Sequence, residues 1–113
     1  MIKFYNADEI KFEDHPKFKG VKIAKLVGKA DNSPIGVSIL HIEPSVEIPI
    51  HIHEESVDSI YCLDGCGVIY DGNSWRDLKP GDYCFVPKNE EHGVKNSGSE
   101  ILKLFIVHSP ALF

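Results

Sequence analysis

Two histidines separated by a single residue, His51 and His53, are followed by Asp58 and later by His92. Side chains two positions apart on a β-strand point to the same face, so a strand through residues 49–53 would direct both imidazoles to one point. A carboxylate and a third imidazole from later strands would complete a site of nitrogen and oxygen ligands. Such a set suits a divalent transition metal and leaves coordination positions for water or a substrate. The spacing therefore predicts a metal site.

The composition predicts a single globular domain that would position these residues. The chain has 113 residues, of which 42% are hydrophobic and 26% are charged, and this length leaves no room for a second domain. No apolar run has the length of a membrane span, and residues 1–9 lack the apolar stretch of a signal peptide, so the expected location is the cytoplasm. Cys62, Cys66 and Cys84 form no CxxC pair, which is also typical of a reducing compartment.

The charge distribution bears on possible partners. The net charge of -5 argues against nucleic acid or an anionic membrane as a partner. Residues 1–30 hold seven lysines and four acids, whereas the remainder holds five basic and thirteen acidic residues. Glu54, Glu55, Glu90 and Glu91 flank the predicted ligands. Two interpretations remain open: they are solvated loop charges, or they form a negative collar that attracts cations and disfavours anionic substrates such as sugar phosphates.

The chain has the pattern of an all-β protein, because short runs rich in Val, Ile, Tyr and Phe alternate with turns of Gly, Pro, Asn and Asp. One helical turn is expected within residues 6–14. About nine short strands must close into a barrel or stack as a sandwich to bury their apolar faces. The predicted strands are 21–27, 35–42, 46–53, 58–63, 66–70, 74–78, 82–86, 93–95 and 101–108.

Two segments resemble the paired motifs of the cupin superfamily. The first motif, residues 45–65, has Ser45 at the position of an opening glycine, then His51-Ile52-His53, Asp58 at the position of a glutamate, and Gly65. The second motif, residues 81–96, reads Gly81, Pro87-Lys88-Asn89, His92 and Asn96, with Asn89 in place of a glycine. The resemblance covers residues 35–108 well, and the N-terminal strand region, residues 1–34, loosely.

The resemblance implies a fold and a cofactor. The fold is a double-stranded β-helix, or jelly-roll barrel, and the cofactor is one divalent transition metal (Fe, Mn, Ni, Zn, Co or Cu) bound by His51, His53, Asp58 and His92. Asp58 is one methylene shorter than the usual glutamate, which leaves direct ligation, ligation through water and a three-histidine site as alternatives. Asn89 is a milder departure, since Asn tolerates a left-handed backbone.

Two function hypotheses follow from this resemblance. The first is a metal-dependent enzyme acting on a small molecule, either a dioxygenase or an isomerase, lyase or decarboxylase. Its general base is unassigned, with Tyr61, Tyr83 and His41 as the only suggestions. The second is a non-catalytic module that binds a small ligand or a metal, and a weaker third is a degenerate barrel in which Asp58 no longer supports metal binding. A homodimer is expected, and the apolar Leu112-Phe113 end is a candidate contact.

The other histidines and the cysteines carry weaker signals. His41 is interpreted as an ordinary strand histidine or a residue that orients a ligand, His15 as a loop residue, and His108 as the end of the last strand without a role. Cys62 shares strand parity with Asp58 and is expected to point inward as a small apolar residue. The sequence contains no GxSxG or phosphate-loop motif.

Overall fold

The computed structural model of the protein describes residues 1–113 and contains ten β-strands and two short 3-10 turns, Ala7–Glu9 and Lys29–Asp31. None of its helices is long and apolar enough to cross a membrane. The strands are β1 (Glu13–Asp14), β2 (Val21–Val27), β3 (Gly36–Ile42), β4 (Glu47–His51), β5 (Val57–Asp64), β6 (Gly67–Tyr70), β7 (Trp75–Leu78), β8 (Tyr83–Val86), β9 (His92–Asn96) and β10 (Leu102–Ser109).

The strands form two antiparallel sheets that pack face to face. One sheet has six strands in the order β1-β2-β3-β10-β5-β8, and the other has four in the order β4-β9-β6-β7. Strands distant in sequence, such as β3 and β10 or β4 and β9, are therefore neighbours in the sheets. This arrangement confirms the predicted jelly-roll fold.

The core lies between the two sheets and consists of one cluster of 14 buried apolar residues. It arises from the alternation of side chains along each strand. In β10, Leu102, Leu104 and Ile106 are buried between the sheets, whereas Lys103 and Phe105 lie on the outer face and are only partly covered. Cys62 is fully buried within the cluster, as its parity with Asp58 predicted.

Strand ends near the predicted site differ from the sequence-based expectation. β4 ends at His51, so His53 does not belong to the strand, and strand parity is the wrong reason for its direction. A register shift between Ile48 and His51 interrupts the pairing with β9. The carbonyl of His53 instead accepts a hydrogen bond from the backbone N–H of Asn89 at 2.9 Å, which joins the two segments that carry the cupin-like motifs.

At the N-terminus the predicted helical turn is the short 3-10 turn Ala7–Glu9, and it is followed by an additional strand, β1, that the residue pattern did not reveal. Two residues are too few to show a period of two, so β1 is defined only by its pairing with β2.

Candidate metal centre

The predicted ligands meet at one end of the sandwich because the strands that carry them end or begin there. His51 is the last residue of β4 and lies opposite His92, the first residue of β9. Asp58 is near the start of β5 and lies opposite His108, near the end of β10. Four strands from both sheets therefore bring side chains to the same end of the core.

The three histidines of the motifs form a compact group. The ring centroids of His51 and His92 are 4.3 Å apart, those of His51 and His53 are 4.9 Å apart, and those of His53 and His92 are 5.0 Å apart. One ring nitrogen from each lies within 4.8 Å of the other two. Side chains separated by up to 41 positions in the sequence thus present their nitrogens to a common point.

Backbone carbonyls hold two of the three rings in one orientation. The Nδ1 of His51 is 2.7 Å from the carbonyl oxygen of Pro49, and the Nδ1 of His92 is 3.0 Å from that of Glu90. A carbonyl oxygen only accepts, so Nδ1–H must donate to it, and the proton of the neutral ring is then on Nδ1. The Nε2 of each ring keeps its lone pair, as a metal ligand requires.

Asp58 reaches the histidines in spite of its short side chain. Its Oδ2 lies 3.2 Å from the Nε2 of His92 and 3.4 Å from the Nε2 of His53. Its other oxygen, Oδ1, lies 2.6 Å from the Nε2 of His108. The Asp58 side chain is only 4% exposed, so its charge depends on these imidazoles rather than on water.

The pKa shifts follow from this burial and contact. Burial raises the pKa of Asp58, but the imidazoles of His108, His53 and His92 outweigh burial and hold the pKa well below its usual range. Burial lowers the pKa of His51, which favours its neutral form. Burial also acts to lower the pKa of His92, but the Asp58 carboxylate and the Glu90 carbonyl outweigh it and raise the pKa. Asp58 is therefore an anion among imidazoles.

Three buried atoms of this group have no hydrogen-bond partner: Asp58 Oδ1, His92 Nε2 and His108 Nδ1. The short contacts of the first two atoms, to His108 and Asp58, are close but not aligned as hydrogen bonds. Buried polar atoms in proteins are almost always paired, so the unpaired His92 Nε2 beside Asp58 Oδ2 calls for a missing partner. Nitrogen and carboxylate oxygen donors without a thiolate suit a divalent transition ion. The residues present therefore fit the metal that the resemblance implies.

A cavity of about 520 Å³ borders the site and opens between β7 and β8, the free edges of the two sheets. His92 lies at its inner wall. Its charged lining is mostly acidic, because Arg76 is the only cation among five carboxylates: Asp71, Asp77, Asp82, Glu90 and Glu91. Of the four glutamates expected to form a collar, Glu90 and Glu91 line this cavity, whereas Glu54 and Glu55 are exposed outside its lining.

The remaining candidate residues lie apart from the metal group. His41 stacks on Phe12 with ring centroids 4.0 Å apart, and His15 accepts a hydrogen bond from the backbone N–H of Lys17. Tyr61 is exposed, and Tyr83 bonds to Ser59 on the outer face of the six-stranded sheet. None of these side chains is a member of the groups of potential metal ligands.

The cysteines do not join the site either. All three are free, and no group of potential metal ligands includes one. Cys84 borders the cavity, but burial and the nearby Asp58 charge raise its pKa to about 11. Its thiol is therefore protonated near neutral pH, so it is a poor ligand and a poor nucleophile.

His108 is the residue that sequence analysis missed. It lies opposite Asp58 in the β5–β10 ladder, and its side chain is 13% exposed. Its position in β10 could have indicated that it points inward, since Leu104, Ile106 and His108 share one face of the strand. Phe105 and Val107, which lie between these residues, are also apolar. The sequence therefore shows no alternation of apolar and polar residues that would identify the inward face of β10.

Comparison with known proteins agrees with this fold. The family model described as "Cupin domain" matches residues 38–108, which is more than half of the chain. The chain therefore belongs to the cupin family.

A curated relative, an oxalate-binding protein of Thermotoga maritima, is 31% identical over 68 residues, which are 60% of this chain and 56% of the relative. The chain thus spans little more than half the length of the curated relatives it matches.

Solved structures extend the likeness to nearly the whole chain. A predicted oxalate decarboxylase from Thermotoga maritima superposes with a TM-score of 0.85 at 25% identity, covering 96% of this chain and 99% of that one. A polyketide cyclase from Streptomyces resistomycificus has a TM-score of 0.83 at 22% identity, covering 100% and 87%. The second likeness shows the fold alone.

Proposed function

We propose that this cupin is a metal-dependent enzyme of the dioxygenase or of the isomerase and lyase type, acting on a small molecule. One observation carries the proposal: imidazole and carboxylate donors from several elements converge with unpaired buried atoms beside a cavity. His51, His53, Asp58 and His92 would hold one divalent transition ion. Such an ion, when bound, supplies a Lewis acid or a binding position for water, substrate or oxygen.

The chain's own residues contribute orientation and access. The Pro49 and Glu90 carbonyls keep Nε2 of His51 and His92 free of a proton. The bond from Asn89 N–H to the His53 carbonyl ties the His53 segment to the loop that precedes His92. The cavity admits a small molecule from the side of β7 and β8, while the buried core closes the opposite side.

Metal content is the decisive measurement. We expect mass spectrometry of protein purified without a His-tag or chelator to find close to one Fe, Mn, Ni, Zn, Co or Cu per chain. His92→Ala should lose the metal, because it removes the most buried imidazole of the group. The control is His15→Ala, since His15 lies in a loop away from the site. Absence of metal after reconstitution with each ion would contradict the proposal.

The second candidate is a non-catalytic ligand-binding module, and the oxalate-binding relative favours it. The lining of the cavity, which includes five acidic residues and one arginine, bears on the charge of the ligand for either candidate. A dicarboxylate or a sugar phosphate entering this cavity meets like charge, whereas a neutral or cationic ligand does not. We therefore propose that the ligand is not a strong anion.

Calorimetry with the metal-loaded protein tests this charge argument. We expect weak binding of oxalate and of a sugar phosphate, tightened about 3- to 10-fold in Glu90→Gln/Glu91→Gln, because exposed charges each contribute up to about 1 kcal/mol. Glu54→Gln/Glu55→Gln changes the net charge equally but outside the cavity, and it should leave the affinity unchanged. Tight oxalate binding by the wild type would favour the binding module instead.

We also propose that the protein is a homodimer. At the chain end suggested as a contact, Phe113 packs partly against the core of its own chain, whereas Leu112 is 41% exposed. The outer face of the six-stranded sheet is a better candidate. Cross-strand rows there contain Phe105, Tyr61 and Tyr83 in one row and Val107, Ser59 and Phe85 in the next, without a charged side chain.

The exposed aromatic side chains of this outer face supply a large part of the apolar area that a dimer interface needs. Tyr61, Tyr83 and Phe85 are 42%, 57% and 54% exposed, and aromatic side chains can each bury about 150–250 Å². Together they offer on the order of 300 Å² of apolar surface by that measure. A standard interface covers about 800 Å² per partner, a little over half of it apolar. Since the rows carry no charge, two chains of net charge -5 could approach here without apposed acids.

We propose that the location is the cytoplasm and that residues 1–113 act as one cupin domain. The absence of a CxxC pair and the three free thiols support a reducing compartment. The continuous core cluster, with residues from both sheets, supports a single folding unit.

A further inference from the structure

We propose that His108 is a positioning residue that holds the Asp58 carboxylate for metal binding by His51, His53 and His92. The inference rests on the proposed metal site, and it explains how an aspartate serves where the family motif has a longer glutamate. The observation behind it is the 2.6 Å contact between His108 Nε2 and Asp58 Oδ1, at the end of the core where the three histidines meet.

The backbone places the two side chains against each other. Asp58 and His108 are directly opposed in the antiparallel β5–β10 ladder. Both strands are interior to the six-stranded sheet, with β10 between β3 and β5, and β5 between β10 and β8. Opposed side chains on one face of such a ladder have Cβ atoms about 4.5–5.5 Å apart. The pair is therefore a fixed consequence of the strand register.

The two oxygens of the Asp58 carboxylate face different partners. Oδ1 faces His108, whereas Oδ2 lies 3.2 Å from His92 Nε2 and 3.4 Å from His53 Nε2. An N–H on His108 Nε2 can donate to Oδ1 after a small rotation of the ring. That bond would hold Oδ2 toward the three histidines. Outer partners that orient a metal ligand in this way typically change metal affinity 10- to 100-fold.

His108 is better placed to act through Asp58 than to bind the ion itself. Donor atoms of His108 group with His53 and Asp58, whereas the group of His51, His53 and His92 includes neither Asp58 nor His108, so the contact distance and not this grouping separates the two roles. Two ligand atoms at right angles on an ion with bonds of about 2.1 Å are about 3 Å apart. The 2.6 Å contact between His108 Nε2 and Asp58 Oδ1 is shorter than this, so the two atoms are too close to be neighbouring ligands of one ion, and they are within reach of a hydrogen bond once the ring turns.

Without His108, Asp58 Oδ1 would have no imidazole beside it. A buried carboxylate oxygen with no donor nearby is costly, and the short side chain could then rotate Oδ2 away from the histidines. The remaining three-histidine site would bind the ion more weakly and with a different ligand field.

Titration with Co²⁺ tests the inference, because cobalt reports both affinity and, by its visible absorption, ligand geometry. The variants are His108→Leu, His108→Gln, Asp58→Asn and His108→Leu/Asp58→Asn. Glutamine retains an N–H donor at a position similar to that of Nε2. His41→Leu is the matched control, since His41 is a histidine of the same sheet that stacks on Phe12 instead. Thermal melts of the metal-free proteins report whether each variant is folded.

We expect His108→Leu to weaken Co²⁺ binding about 10- to 100-fold and to change the absorption spectrum. His108→Gln should restore most of the affinity, and His41→Leu should bind as the wild type does. In the Asp58→Asn background, His108→Leu should cause little further loss, because the residue acts through the carboxylate.

Other outcomes would overturn the inference in distinct ways. Additive losses from His108→Leu and Asp58→Asn would make His108 a ligand in its own right. An unchanged Kd and spectrum in a folded His108→Leu would show that it has no role at the site. If the wild-type protein itself bound no Co²⁺, the proposed metal function would fail, and the positioning role would fail with it.

Discussion

At the scale of single residues, Ser45 and Asn89 occupy the two motif positions at which this chain replaces a glycine of the family pattern. Both have a left-handed backbone, with φ of 68° at Ser45 and 64° at Asn89. A side chain at such a position is strained by its Cβ, less so for Asn than for most residues. At both positions the residue type therefore differs from the family pattern, while the backbone has the left-handed conformation that glycine favours.

Ser45→Gly should stabilise the protein by about 0.5–1 kcal/mol, because removing the Cβ relieves more strain than the added freedom of glycine costs. The Ser45 N–H bond to the Asn96 carbonyl is retained in the variant. Urea denaturation measures the change. Ser45→Ala keeps the Cβ and should differ from wild type by less than about 0.5 kcal/mol, so an equal gain in both variants would exclude relief of strain as the cause.

Among the metal-site residues, the sequence identified those that belong to motifs and missed the one that does not. His51, His53, Asp58 and His92 stand at fixed spacings, so they could be singled out without a structure. His108 has no motif around it, and its partner Asp58 lies 50 positions earlier in the chain. Only the register of β5 against β10 brings the two together.

At the scale of elements, Asn96 joins three parts of the fold at the end of β9 away from the metal group. Its Nδ2 donates to the carbonyls of Ile42 at 2.9 Å and Glu100 at 2.8 Å, and its Oδ1 accepts from the N–H of Gly98 at 2.9 Å. Asn96 is 2% exposed. One amide thus links the end of β3 to the turn between β9 and β10.

Asn96→Ala should destabilise the protein by about 2–4 kcal/mol, because three backbone groups lose their partner at about 1 kcal/mol each and one of them, the Ile42 carbonyl, is buried. Chemical denaturation followed by circular dichroism measures the loss. Asn73→Ala is the matched control, since the Asn73 side chain is exposed and makes no hydrogen bond in the structure. A loss below 1 kcal/mol for Asn96→Ala would mean that water replaces the amide at these backbone groups.

Turns could be predicted better than strand ends. Gly65 follows Asp64 at a turn that the sequence marked, and its φ is 85°. An added Cβ at Gly65 would lie 2.5 Å from the carbonyl oxygen of Ile101, so glycine is required by both backbone and contact. The end of β4 at His51 was not visible in the sequence, because Ile52 and His53 continue the alternating pattern past the last ladder pair.

At the scale of the whole molecule, the sandwich has two different exposed regions. One is the acidic opening between β7 and β8, which leads to His92. The other is an uncharged patch on the outer face of β10, β5 and β8, where a groove of about 310 Å³ is lined by Ser59, Tyr61, Tyr83, Phe105 and Val107. Exposed apolar patches of this kind mark interaction surfaces more often than isolated exposed residues do.

Light scattering on the protein as it elutes from a size-exclusion column should give twice the chain mass of 12.6 kDa. Phe85→Lys should shift the protein toward monomer, since it would place two cations in the interface. Leu112→Lys is the control, because Leu112 is 41% exposed at the chain end and outside the proposed interface. If Leu112→Lys were a monomer and Phe85→Lys remained a dimer, the interface would lie at the chain end instead.

The sequence by itself determined the class of fold, the turn positions and the residues of the two motifs, because these depend on local spacing and on the backbone preferences of Gly, Asn and Pro. The tertiary structure alone decided which side chains complete the site. Sheet register pairs Asp58 with His108, and the free edges of β7 and β8 create the acidic cavity. These features depend on which strands become neighbours, and strands as distant in the chain as β5 and β10 are paired only by the tertiary fold.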